Sequence, residues 1–129
     1  MRTTWLPALV ALSITGVVVG TIASAQPPER SGQLAQGKQV YDYWCLPCHG
    51  PGLGLPGFGA LPGTQQLQIK YRDTNISPLL EERSDLVPEF VKVIVRQGVS
   101  FMPQFRKTEI SDAELDALAA YLARNNAQR

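Results

Sequence analysis

Apolar residues recur at intervals of three and four along several stretches of the chain, and these stretches predict its helices. Over Leu34–Cys45, one face carries Leu34, Gly37, Val40, Tyr41 and Trp44, which predicts a helix. A glycine inside a helix costs about 1 kcal/mol relative to alanine. Gly37 therefore asks for a packing reason, and close approach by another helix would supply one. Asp85–Gln97 repeats the pattern with Phe90, Val91, Ile94 and Val95 on one face, Pro88 in the first turn and Gly98 at the end. Its valines and isoleucine also suit a strand, but the 3.6 period and the placing of proline and glycine favour a helix. Ser111 with Glu114 forms a capping box, and Ile110 with Leu115 a hydrophobic staple. They open a last helix whose stripe is Leu115, Leu118, Ala119 and Leu122, with Tyr121 at its edge. Ser77-Pro78 supplies an N-cap and a first helical residue for a short helix over Leu79–Arg83.

The intervening segments read differently. Nine of the fourteen residues in 50–63 are glycine or proline, which breaks helix and strand alike. Leu53, Leu55, Phe58 and Leu61 are spaced through that run, so it reads as an apolar, stiffened loop. Residues 64–76 are polar and mixed and predict no element. The whole is an all-α pattern of three to four helices.

The start of the chain reads as an address. Met1-Arg2 is positively charged, Leu6 to Ile22 is apolar apart from glycines and small hydroxyl residues, and Ala23-Ser24-Ala25 is an A-x-A site. This predicts a signal peptide over residues 1–25. An uncut membrane anchor is the alternative, which Pro7 and the A-x-A ending disfavour; cleavage would leave no stable membrane anchor. Residues 26–33 read as a flexible tail and 34–125 as one domain. Cleavage would leave 104 residues with 11 basic and 11 acidic side chains. That balance argues against nucleic acid as a partner, and so small a domain gains from a staple.

The candidate chemistry lies in Cys45-Leu46-Pro47-Cys48-His49, which contains both cysteines and the one histidine of the chain. Two cysteines two apart followed at once by histidine form the attachment pattern of a covalent c-type haem. Each thiol adds to a porphyrin vinyl group, and the histidine offers a nitrogen to the iron. Three other readings compete. A thiol–disulfide oxidoreductase site would suit Pro47 but should follow a strand in a βαβ pattern, and none is predicted. Structural zinc wants four ligands, and this cluster has three. A structural disulfide would close too short a loop to add much stability. Met102 is the one methionine left after export. Pro103 holds the chain extended after it, and no second histidine exists, so Met102 is the candidate second axial ligand. A backbone carbonyl near Pro56 or Pro62 is the expected acceptor for the other imidazole N–H of His49. Tyr71 and Arg72 are candidates to bond a haem propionate. Arg106-Lys107 marks either a docking surface or ordinary surface charge.

Gly37 and Tyr41 ahead of the first cysteine, Met102-Pro103 and Leu118-Ala-Ala-Tyr121-Leu122 together resemble the class I c-type cytochromes. The resemblance implies a fold of three to four helices around one covalent haem c, export to the periplasm, and a C-terminal helix crossing steeply at Gly37 beside Tyr121. It implies Cys45 and Cys48 as thioether residues and His49 and Met102 as axial ligands, with no catalytic residue. The stretches Gly59–Leu67 and Gly98–Ile110 resemble more narrowly the cytochrome subunit of flavocytochromes of the p-cresol methylhydroxylase and eugenol hydroxylase type. That resemblance implies an FAD-containing dehydrogenase as partner, oxidation of 4-alkylphenols by that partner, and single electrons passed through the haem to a downstream acceptor. The apolar rim for such a partner is expected at Phe58, Phe101 and Phe105. A free shuttle to a terminal oxidase is the alternative, which near-zero charge mildly opposes.

Overall fold

The structure is a computed structural model and describes Met1 and residues 28–127. The expected signal peptide lies outside the described residues apart from Met1. Helix α1 spans Pro28–Val40 and runs on through a π-helical turn, Tyr41–Cys45, into the single turn of α2, Leu46–His49. α3 covers Pro62–Tyr71, a 3₁₀ turn Leu80–Glu82, α4 Pro88–Gln97 and α5 Asp112–Leu122. Among the described residues there is no strand, only an isolated bridge between Val99 and Met102.

α1 begins six residues before the predicted Leu34, inside the stretch read as a tail. Pro28 sits at the chain's entry into the helix, and Glu29 in the first turn complements its positive end. Residues 29–33 are exposed, so this turn leaves no apolar period to read.

The core lies where α1 crosses α5. Tyr41, Leu118 and Ile110 are all but sealed from solvent, and Val40, Leu115, Tyr121 and Leu122 pack with them. A Cβ built on Gly37 would stand 2.1 Å from the Ala117 carbonyl oxygen and 2.6 Å from Tyr121 Cβ. The glycine is thus the place where two backbones touch. The Tyr121 ring lies tilted against that of Tyr41, 6.0 Å between centres, and its hydroxyl donates to the Glu81 carboxylate. Burial and that carboxylate both push the Tyr121 phenol up from its ordinary value. The predicted capping box is present: Ser111 Oγ accepts from the Glu114 N–H at 3.3 Å, and Glu114 accepts from the Ser111 N–H at 2.8 Å.

α4 buries Val91 and Val95 against this core. On its other side, Arg96 donates to the carbonyls of Phe105 (3.0 Å) and Ile110 (2.9 Å) and pairs with Asp112. One side chain therefore ties both ends of the segment that follows Met102. The buried Arg83 is held by Asp85 and lies 4.8 Å over the Tyr71 ring. Its guanidinium keeps the Asp85 carboxyl below its ordinary value.

The sequence left 64–76 without an element, yet α3 occupies Pro62–Tyr71. The glycine- and proline-rich run ends in that helix, with Pro62 as its first residue, where a missing N–H costs nothing.

Candidate haem site

A cavity of about 340 Å³ opens between α2, α3 and the segment 99–105. Cys45, Cys48 and His49 line it from the first side, and Met102 and Phe105 from the segment after α4. Trp44 joins the wall, its ring edge-on to Phe105 at 5.6 Å. All four residues assigned from the sequence thus meet at one cavity.

His49 ends α2, and its neighbours are arranged around its backbone. Tyr41 donates its hydroxyl to the His49 carbonyl at 3.3 Å, and the buried Thr64 donates to the Gly50 carbonyl at 2.9 Å. The second bond ties the start of α3 to the end of α2. Gly63 then lies against the imidazole: a Cβ there would stand 2.6 Å from Cε1 and 2.7 Å from Nδ1. Nδ1 is buried without a hydrogen-bond partner among the described residues. The carbonyl acceptor expected near Pro56 or Pro62 is therefore absent, because the turn into α3 presents Gly63 to the ring instead. Burial lowers the His49 pKa, which favours the neutral imidazole that metals bind.

Met102 sits in a tight turn. Its N–H donates to Val99 at 2.9 Å and its carbonyl accepts from Val99 at 3.2 Å. Two residues with positive φ make the turn, Gly98 at 68° and Ser100 at 55°. Ser100 is the non-glycine residue with positive φ among the described residues, and backbone held this way tends to cluster at functional sites.

Burial, and then Cys48, push the Cys45 thiol up to about 12. A nucleophilic cysteine needs the opposite shift, so Cys45 is not suited to that role, and among the described residues no strand precedes the pair as a βαβ dithiol site would require. Among the described residues no group of three or more His, Cys, Asp or Glu side chains is arranged to hold a bare metal ion, so the zinc reading gains no support. The features present suit a flat, mostly apolar group with its own metal: a largely apolar cavity, a neutral buried imidazole, and thioether sulfur available in the facing segment.

Two expectations about the surroundings are corrected. Leu53, Leu55 and Phe58 are exposed and do not line the cavity. Their loop closes on itself instead, since a Cβ at Gly54 would stand 2.1 Å from the Ala60 carbonyl oxygen. It borders a separate cleft with Ser77, Pro78 and Glu82. Phe58 thus leaves the expected rim, whereas Phe101 and Phe105 stay on it. Arg72 is not among the residues that line the cavity and lies 3.7 Å from Asp73, and Tyr71 packs on Arg83. Arg106 and Lys107 pair with Glu109 and Asp112 inside the chain. The residues the sequence reading missed are Gly63, Gln66, Leu67 and Lys70, all from α3. Their spacing of 0, 3, 4 and 7 is a helical face, and with Pro62 ahead of it this was the available signal.

Replacing Gly63 with alanine forces a shift of either the imidazole or the Cys48 carbonyl, which a Cβ would approach at 2.8 Å. The expected outcome is a several-fold fall in haem-loaded protein per expressed chain, measured as the ratio of haem absorbance to total protein. Unchanged loading would show that the ring does not need this gap.

The profile of the family described as "Cytochrome C oxidase, cbb3-type, subunit III" matches residues 32–122. The chain belongs to this family of haem-binding, electron-transferring cytochrome c domains, and its helices are those of a class I cytochrome c fold. Among curated proteins, it is 31% identical over 113 residues to the "4-cresol dehydrogenase [hydroxylating] cytochrome c subunit" of Pseudomonas putida, covering 85% of this chain and 80% of the relative. No solved structure matches it significantly. Among the described residues no helix is long and apolar enough to cross a membrane.

Proposed function

We propose that this chain is a single-haem cytochrome c that accepts electrons one at a time as the subunit of a flavocytochrome oxidising 4-alkylphenols. Cys45 and Cys48 hold the haem through two thioether bonds. His49 would offer the iron Nε2, the nitrogen left once Nδ1 is sealed beside Gly63, and Met102 would offer its sulfur from the facing segment. The haem supplies reversible one-electron exchange between ferric and ferrous iron. Held by both His49 and Met102, the iron would leave substrate no open coordination site, so the chain would carry electrons and perform no bond chemistry of its own. Trp44 and Phe105 keep water from one side of the cavity. Val99 and Phe101, both more than half exposed at its mouth, are the apolar contact for a partner whose cofactor must come close. Residues 1–25 are read as a cleaved signal peptide that takes the domain to the periplasm.

The observation that carries the electron-transfer reading is the meeting of His49 and Met102 at one largely apolar cavity. The similarity to a dehydrogenase's cytochrome subunit supports the choice of an FAD-containing dehydrogenase as partner. The test is co-expression, in a host that attaches haem c, with a flavoprotein able to oxidise 4-cresol. The two chains are expected to purify together, with one haem per cytochrome chain by pyridine haemochrome, and 4-cresol should reduce that haem. A haem-loaded monomer that neither binds the flavoprotein nor is reduced through it would establish the free shuttle instead. A protein without haem and with two titratable thiols would end the cytochrome reading.

A further inference from the structure

The cavity-lining face of α3 changes character along its length. Gly63 lies against the His49 ring, Leu67 follows, and Gln66 and Lys70 carry the polar groups. At 1.5 Å per residue, Lys70 stands about 10 Å along the helix axis from Gly63. The titratable side chains lining the cavity from all sides are Cys45, Cys48, His49 and Lys70, with no acidic residue among the lining.

Lys70 also differs in its pairing from the basic residues that follow the first turn of α1. From Lys38 onward, the other basic side chains of the described residues reach a carboxylate or a backbone carbonyl, as in Lys92 with Asp116 at 2.6 Å and Arg124 with the Glu81 carbonyl at 2.9 Å. The Lys70 ammonium has only the face of the Tyr71 ring, 5.3 Å away. An exposed cation with no carboxylate partner thus stands at the edge of a largely apolar cavity whose lining offers no anion. A porphyrin with propionate arms is apolar across its ring and carboxylate at one edge, which is the complementary distribution.

We propose that Lys70, with Gln66 one turn before it, binds a haem propionate, and that this fixes which edge of the porphyrin lies along α3. This rests on the haem reading above. It replaces Tyr71 and Arg72, which the sequence suggested for the role. A lysine and an amide together offer one charge-assisted and one neutral hydrogen bond to a carboxylate. The lysine charge also favours the ionised propionate and, being close to the haem, the ferrous state.

The experiment is a redox titration of the haem-loaded full chain across pH 4–9 for wild type, Lys70→Met, Lys70→Arg and Arg72→Gln. Ionisation of a propionate appears as a pH range in which the potential falls. In Lys70→Met the potential is expected to be lower than wild type at neutral pH, and that range to move up by about one pH unit. Lys70→Arg should restore both, and Arg72→Gln, which removes an exposed charge outside the cavity, should leave the range where it was. The proposal is overturned if Lys70→Met and Arg72→Gln behave alike. It is equally overturned if Lys70→Met leaves the pH range unmoved and only weakens salt-dependent binding of the flavoprotein, since Lys70 would then serve a partner's carboxylate. Loss of the haem spectrum in wild type would instead refute the cytochrome reading on which the proposal stands.

Discussion

Replacing Gly37 with valine is expected to lower the melting temperature of the haem-loaded protein by about 20 °C, or to prevent folding. A Cβ at this position meets the Ala117 carbonyl oxygen at 2.1 Å and Tyr121 Cβ at 2.6 Å. The first of these is backbone in the middle of α5, so no side-chain rotation relieves it. The two helices must separate, and the cluster of Val40, Tyr41, Leu118 and Tyr121 opens with them. A loss on the order of 4 kcal/mol belongs to this kind of overpacking. In a domain of about 100 residues that corresponds to the stated shift. Alanine at 37 should do most of the same damage. Gly32 provides the control: it lies in the same helix with nothing within 4 Å of its Cβ position. Gly32→Ala should be neutral or stabilising by up to about 1 kcal/mol, because alanine is the better helix former. Thermal melts followed by circular dichroism separate the two sites. Equal melting of Gly37→Val and wild type would mean that α1 and α5 do not cross here.

The second large effect is expected at Met102. Met102→Ala removes the proposed sulfur ligand, so the charge-transfer band of ferric iron bound to thioether should vanish. The potential should fall by on the order of 0.1 V, within the ~0.8 V range that axial ligands command. Small ligands such as imidazole or carbon monoxide, excluded from wild type, should then bind. Met102 also packs beside the core, so the variant should lose some stability as well. That loss alone would not create a binding position for carbon monoxide. Retention of the thioether band in the variant would show that another group fills the sixth position.

What could be read from the sequence, and what could not, follows the range over which each signal acts. The start of α5 was legible because Ser111, Glu114, Ile110 and Leu115 specify it within six residues. The contact of Gly37 with Tyr121 spans most of the domain. It was legible through resemblance, supported by the physical oddity of a glycine in an amphipathic helix. α3 was missed for a definite reason. Its inward face borders the cofactor cavity, not a protein core, so Gly63, Gln66 and Lys70 stand where apolar residues would otherwise report burial. The Gly/Pro loop was misjudged in the other direction. Phe58 was expected at the apolar rim beside Phe101 and Phe105, but close backbone approach at Gly54 turns its loop onto itself. The four proposed haem residues were legible because the chain has so few cysteines, histidines and methionines. The cavity that gathers them was not, since it depends on α3 and on the strained turn at Ser100.

The π turn at Tyr41–Cys45, closed by the Leu46 N–H on the Tyr41 carbonyl, has a consequence of phase. At about 100° per residue, an uninterrupted α-helix would carry His49 about 120° around the axis from Gly37, twelve residues earlier. A π turn absorbs one extra residue, and counting eleven instead brings His49 back to within about 20° of Gly37. One continuous helix can therefore press Gly37 and Tyr41 against α5 and still bring the histidine to nearly the same side. Counting by fours along this helix fails at Val40, and faces assigned beyond that point must be shifted by one residue. The five residues of the wide turn act as an angular offset between the half of the helix that builds the core and the half that meets the cofactor.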